Sequence, residues 1–318
     1  MKKHALIILT IICSSSLSAQ YATQITVDQS GHGDFTSIQE AINATKAFPE
    51  KDITIYIKNG TYREKVTIYA WNNRLSLIGE SKLGTKIIWD DHFSQINLGR
   101  NSTFHTYTLK VEANDVTLKN LTITNDAGPV GQAVALHLTG DRIKVLNCQI
   151  HGNQDTLYVA GEGLRQYFKG CSISGTTDFI FGAATAVFDS CIIVSKSNSY
   201  VTAASTPKTS PFGLVFMNCD IIKLEFQPNM VDQVYLGRPW RSYAKTAFIN
   251  CYLDDHIAPA GWDNWGSVEK EATVTYIEYG SKGPGAKDSD RVKWSRTLTK
   301  KEAASYTLSN IFGNWIPD

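Results

Sequence analysis

Three observations predict an all-β solenoid, a parallel β-helix, for this chain. The first is a recurring motif: VLNC at 145–148, FKGC at 168–171, FDSC at 188–191, FMNC at 216–219 and FINC at 248–251. Each cysteine has an apolar residue three before it (Val145, Phe168, Phe188, Phe216, Phe248) and another two after it (Ile150, Ile173, Ile193, Ile221, Leu253). An earlier copy carries Leu121 in the cysteine slot, with Leu118 and Ile123 in the flanking places. The second is the interval between copies, from 20 residues (191 − 171) to 32 (251 − 219), which is the period of a repeat architecture. The third is texture: short apolar or β-branched runs broken by Gly, Asn, Asp or Ser, with little helical periodicity, which favours stacked parallel strands over a helical repeat.

The elements follow in chain order. Lys2, Lys3 and His4, then apolar Ala5 to Ile12, then the small polar Ser14 to Ala19, read as a secretory leader over 1–19. Its apolar run is far below the roughly 20 residues of a membrane span, and no other segment could span one. The remainder, 20–318, reads as one β-helix unit. Only about five residues separate leader from first strand, which leaves no room there for an inhibitory region. Ile25 to Val27 is a short strand. Thr36 or Ser37 caps a helix over Ile38 to Lys46, with Glu40 placed for a capping box and Ile38, Ala41 and Ile42 on one face. This helix covers the open end of the solenoid. Coils then run through LSLIG at 75–79, KIIW at 86–89, TLKV at 108–111 and VTLKNLTI at 116–123, and on to about Leu253. Gln132 begins a further apolar run expected to be a strand. From Ala258 the sequence departs from the coils, through PAGWDNW, the strand TVTYIEYG at 273–280 and a tail that packs a short helix against the barrel.

Charge excludes some functions. The chain has 318 residues and a net charge of +1, so it carries no nucleic-acid footprint. Beyond the leader five cysteines remain, all on the repeat pattern; they read as buried small hydrophobes, with a Cys171–Cys191 bridge left open. No cysteine or histidine spacing suits a metal.

The chemistry concentrates between Cys148 and Gly182. Asp155 and Asp178 are 23 residues apart (178 − 155), the same interval as Cys148 and Cys171 (171 − 148), so each aspartate lies seven residues after a cysteine. Equivalent places in adjacent coils are about 4.8 Å apart. Two close carboxylates cannot both ionise freely, which yields one protonated acid beside one carboxylate. Aspartates also commonly cap solenoid turns, and the pair alone leaves both readings open. Gln132 and Gln154 could aim amide NH₂ groups at one point, as an ester or amide substrate requires and glycoside cleavage does not. Arg238, fixed between Gly237 and Pro239, could hold a carboxylate by a two-pronged hydrogen bond. Trp240 suits a sugar ring. Either of the last two residues alone would default to structure.

These residues lie within segments that together resemble the pectin methylesterases: GTYRE at 60–64, QAVAL at 132–136, QDTLY at 154–158, DFIFG at 178–182 and LGRPW at 236–240, in the family's order and across nearly the whole chain after the leader. The resemblance implies a right-handed single-stranded parallel β-helix and removal of methyl groups from galacturonate methyl esters of pectin, without cofactor or metal. It implies Asp178 as nucleophile, Asp155 as proton donor and acceptor, Gln132 and Gln154 as oxyanion hole, and Arg238 as the group orienting Asp178. Trp240, Phe181, Tyr158 and Thr103, the last in STFHTYT, are the substrate-binding candidates. Thr177 stands where the family has valine and Asn153 where it has an aromatic residue; both departures bear on the cleft and the preferred methylation pattern. The expected protein is a secreted or periplasmic monomer acting on pectin. A glycoside hydrolase or lyase on the same fold, and a non-catalytic carbohydrate-binding β-helix, are the alternatives; they differ in releasing new chain ends, or nothing, in place of methanol.

Overall fold

The computed structural model describes residues 21–225 and 231–317. The leader expected over 1–19 lies outside the described residues.

Except at the two ends, where Gln24–Val27 pairs with Ile53–Ile57 and Thr275–Tyr279 with Arg296–Thr297, successive strands do not pair with each other; each pairs in parallel with its counterpart one coil away. The coil around the central motif shows the path. Ile143–Leu146 lies in an eleven-stranded sheet, Gln149–His151 in an eight-stranded sheet and Leu157–Val159 in a seven-stranded sheet, before Arg165–Lys169 returns to the first. Repetition of this path builds three parallel sheets around one core, the β-helix the repeat predicts.

The corner between the first two sheets explains the motif. The residue before each cysteine has left-handed backbone: Asn147 φ 50°, Gly170 61°, Ser190 53°, Asn218 54° and Asn250 54°, with Asn120 at 55° in the earlier copy. Glycine adopts this conformation without steric cost and asparagine at little, which is why small or amide residues fill the slot. The turn folds each cysteine inward; all five thiols are free and buried, 0–1% exposed. No Cys171–Cys191 bridge forms. Instead Cys171 Sγ donates to Val145 O at 3.3 Å and Cys219 Sγ to Phe188 O at 3.2 Å, each one coil back.

Register converts the flanking apolar positions into ladders. Phe168 faces Phe188, Phe188 faces Phe216 and Phe216 faces Phe248. Their rings stack at 4.6, 4.5 and 4.5 Å between centroids. Ile123, Ile150, Ile173, Ile193 and Ile221 form a second ladder that ends on Leu253.

Two ends close the structure. The helix spans Ile38–Asn43, shorter than expected, and buries Ile38, Ala41 and Ile42 in the core. Ser37 caps it, and the Glu64 carboxylate accepts from Ser37 Oγ at 2.8 Å, Ile38 N at 3.1 Å and Gln39 N at 3.0 Å, satisfying the free amides of the first turn. At the other end the coils outlast the sequence expectation: Thr275–Tyr279 still pairs in register with Lys245–Ile249. The tail contributes two short helices, Lys300–Ala303 and Leu308–Phe312. Ile311 and Phe312 cover the outer face of the eleven-stranded sheet, against Tyr167, Val187, Val215, Ala247, Ile249 and Ile277. The run from Gln132 is not a continuous strand: Gln132 makes an isolated bridge to Gln154, and the strand proper is Leu136–Leu138.

Candidate active site

The seven-stranded sheet carries the cleft on its outer face. Leu157 faces Ile180 across the ladder, so the aspartates two residues earlier occupy equivalent positions in adjacent coils. Asp155 N donates to Thr177 O at 3.0 Å and Asp178 N to Tyr200 O at 2.9 Å, continuing the stack through the turn. Both aspartates are left-handed, with φ 63° at Asp155 and 50° at Asp178. This sparsely populated backbone turns each carboxyl out of the solenoid wall, and aspartate is among the few residues that tolerate it.

Arg238 comes from the strand Tyr235–Pro239, two coils beyond Asp178 in the same sheet. Its Nε donates to Asp178 Oδ1 at 2.9 Å and its Nη2 to Oδ2 at 2.7 Å, the two-pronged pair the sequence suggested. The guanidinium lies between two rings, with Cζ 3.9 Å from the Tyr200 centroid and 3.7 Å from that of Trp265. Such stacking fixes the plane of the fork as well as its charge.

Burial and charge separate the two acids. Burial raises the Asp155 pKa well above the usual carboxylate range; the charge of Asp178 raises it further, and Arg238 opposes both. Burial also raises that of Asp178, against the pull of Arg238's hydrogen bonds and charge. Asp155 is therefore the acid that keeps its proton to higher pH, and the arginine-paired Asp178 is the one that ionises first.

Gln132 and Gln154 are register partners on adjacent coils. Both line the cleft with Asp155 and Asp178, and among the described residues neither side-chain amide has a protein partner. Next in that column Thr177 Oγ1 meets Ser199 Oγ at 2.8 Å, while Asn153 Oδ1 accepts from Lys196 Nζ at 2.9 Å. Thr177 and Asn153 are thus both held by polar contacts within the wall.

Lys110, His137, Tyr158, Phe181, Ala203 and Arg238 form one outward row across the sheet. Tyr158 and Phe181 stack at 4.6 Å, and Phe181 meets Trp240 at 5.9 Å. Burial, with Lys110 nearby, pushes His137 down to about 3, so it stays a neutral part of the row. The cleft has a volume of about 250 Å³. Thr103, Phe181 and Trp240 line it; Tyr158 does not line it directly and stacks on Phe181 from the adjacent coil.

Four lining residues lie outside the sequence reading: Arg100, Phe104, Ala203 and Trp265. Arg100 and Phe104 belong to the excursion between the strands Thr85–Trp89 and Leu109–Val111, which folds into a 3₁₀ turn over Gly99–His105. Trp265 belongs to PAGWDNW, whose tryptophans were the available signal. Away from the cleft, Asp254, Asp255 and His256 offer possible metal-ligand atoms within 4.8 Å of one another, but Lys223 already donates to Asp255 at 2.6 Å.

Fold and cleft together define a parallel β-helix protein with an arginine-clamped acid pair lining a cleft beside an aromatic row. The chain belongs to the pectinesterase family: that family's model matches residues 24–314. It is 38% identical over 306 residues to a probable pectinesterase/pectinesterase inhibitor 58 of Arabidopsis thaliana, covering 92% of this chain and 53% of the relative. The chain thus spans about half the length of that relative. Among solved structures it resembles a pectin methylesterase from carrot, with a TM-score of 0.86 and 30% identity over 92% of this chain and 94% of the other. It also resembles a pectin methylesterase solved in complex with a hexasaccharide, with a TM-score of 0.81 and 32% identity over 95% and 99% of the two chains. No helix among the described residues is long and apolar enough to cross a membrane.

Proposed function

We infer that this chain is a secreted pectin methylesterase that hydrolyses galacturonate methyl esters to free carboxylates and methanol. The observation that carries this reading is the clamped pair: Asp178 held at both oxygens by Arg238, with Asp155 in the equivalent place one coil away. Family membership supports the substrate class, and the hexasaccharide bound by a structural relative supports a carbohydrate chain in the cleft.

In this mechanism the Asp178 carboxylate attacks the ester carbonyl carbon. The carbonyl π electrons move to oxygen, where the amides of Gln132 and Gln154 stabilise the charge. Collapse of the tetrahedral species breaks the bond to the methoxy oxygen, which takes the proton of Asp155 and leaves as methanol. An acyl-enzyme remains, an anhydride between Asp178 and the sugar carboxyl. Asp155, now a carboxylate, removes a proton from water as that water attacks the sugar's acyl carbon. Breakdown of the second tetrahedral species returns the Asp178 carboxylate and leaves the sugar as its free acid, which ionises. Ester and water give acid and methanol, and no cofactor enters. Activity falls on the acid side as Asp178 protonates and on the alkaline side as Asp155 ionises; the two titrate as a pair. Cleavage of a glycosidic bond would leave the paired amides without a role.

The test is Asp178→Asn, which keeps shape and the left-handed backbone while removing the nucleophile. Methanol release from highly methylated pectin, measured together with chain length, should fall to background in the folded variant. Activity close to wild type would refute the nucleophile, and shortening of the chain by the wild type would favour the glycosidase.

A further inference from the structure

Building on the esterase reading above, we propose that Lys196 is a positioning residue for the oxyanion amide: from two coils away it holds the turn that carries Gln154, and so sets the aim of that amide at the reacting ester.

Lys196 follows the strand Ile192–Ser195 in the eight-stranded sheet. Ser195 is the register partner of Gly175, and His151 that of Ser174, so Asn153, Thr176 and Lys196 stand at equivalent places in three successive coils. The lysine side chain reaches back past the middle coil. Its Nζ donates to Gly152 O at 2.8 Å and to Asn153 Oδ1 at 2.9 Å, while its backbone N donates to Gly175 O at 2.8 Å. One residue thus ties the turn leading to Gln154 and Asp155 to the turn leading to Asp178.

A break in regular pairing creates the need for this contact. Gly152 N donates to Ser174 O at 3.2 Å. In an even parallel ladder the next amide, Thr176 N, would return to Gly152 O, just as Lys196 N returns to Gly175 O one coil on. Thr176 N donates instead to Asn153 O at 3.0 Å. Gly152 is buried, and a buried carbonyl without a donor is costly. Lys196 Nζ is the donor it receives. Burial lowers the pKa of Lys196 and no carboxylate offsets that shift; the charge is directed at two neutral oxygens of one turn.

Lys196 does not line the cleft, so its influence on the reaction runs through the turn. After Gln154 the chain is pinned by backbone: Gln154 O accepts from Ala133 N at 3.1 Å, and Asp155 N donates to Thr177 O. Before Gln154 the lysine fixes Gly152 and the Asn153 side chain. An oxyanion donor works by being aimed in advance, and a misplacement of about 1 Å can lower a rate by about 10²-fold.

Lys196→Met keeps the length of the side chain and removes its hydrogen bonds. On highly methylated pectin its kcat for methanol release should fall roughly 10- to 10²-fold, with KM within about twofold of wild type. Lys196→Arg, which can still donate to both oxygens, should recover most of the loss. The decisive arm is the Gln154→Ala background: with the amide gone, adding Lys196→Met should lower kcat by less than about twofold further. A kcat close to wild type in Lys196→Met, or the same fold loss with and without Gln154, overturns the proposal and makes the lysine a brace for the fold alone, while leaving the esterase intact. Should Lys196→Met not fold, Asn153→Ala, which removes one of the two acceptors, enters the same comparison. No methanol from wild type would instead remove the esterase reading, and this proposal with it.

Discussion

At the scale of single residues, the site depends on side chains held where the backbone would not ordinarily place them. Asp155 and Asp178 both have positive φ, and asparagine is the replacement that keeps that conformation. Alanine at either place would add about 1–2 kcal/mol of strain to the lost chemistry, which blurs what is measured. The glutamines pose no such difficulty, since their amides line the cleft and their backbones sit in an ordinary parallel bridge. Gln132→Ala and Gln154→Ala should each lower kcat by about 10²–10³-fold, the usual scale for one oxyanion donor, with little change in melting temperature. Steady-state kinetics beside a thermal melt checks this. Near-normal kcat in both variants would mean the amides only bind or brace.

At the scale of the element, the recurring unit is the corner before each cysteine. Asn218 has φ 54° and stands between the strands Leu214–Met217 and Asp220–Lys223. Asn218→Ala should cost about 1–2 kcal/mol, because a Cβ without a compensating polar group is strained there. Asn218→Gly should cost only a fraction of that, since glycine enters the left-handed region freely. Urea denaturation of the two variants gives the comparison, and equal losses would show that the side chain of Asn218, not its backbone, matters. The same unit explains what was legible in the sequence. Cysteine, phenylalanine and isoleucine recur because each coil meets the same environment, so ladders and acid pair could be read from spacing. Arg100 and Phe104 arrive on an excursion with no repeat to index it, and Trp265 on a segment beyond the last complete coil. Their positions depend on packing against Tyr158 and Arg238, and packing at that distance leaves no periodic trace. The helix was legible in type but not in length: the N-cap signal is local, while the end at Asn43 is set by the core below it.

At the scale of the whole molecule, a stack of coils shares its stability among neighbours, and the acid pair sits in the middle of the stack. Burial and the charge of Asp178 raise the pKa of Asp155 above its unfolded value of about 3.9. The sign of the linkage follows. The folded state binds the proton more tightly, so the contribution of Asp155 is fully present below the unfolded pKa and is lost as pH rises through the folded one. Asp155→Asn removes that titration while keeping the left-handed backbone. It should therefore melt above wild type at neutral and alkaline pH, by a margin that shrinks as pH falls toward 4. Asp178→Asn should behave differently. The pKa of Asp178 is also raised, but burial there works against the hydrogen bonds and charge of Arg238, so neutralising it relieves a buried charge while taking the guanidinium's partner away, and the gain of Asp178→Asn over wild type at neutral pH should be smaller than that of Asp155→Asn. Melting temperatures of the three proteins from pH 4 to 9 decide the matter. A gain for Asp155→Asn that does not change with pH would show that Asp155 is not the proton holder of the pair. A gain that grows with pH would mean that function here is maintained against stability, as expected where an acid is kept buried so that it can give up its proton late.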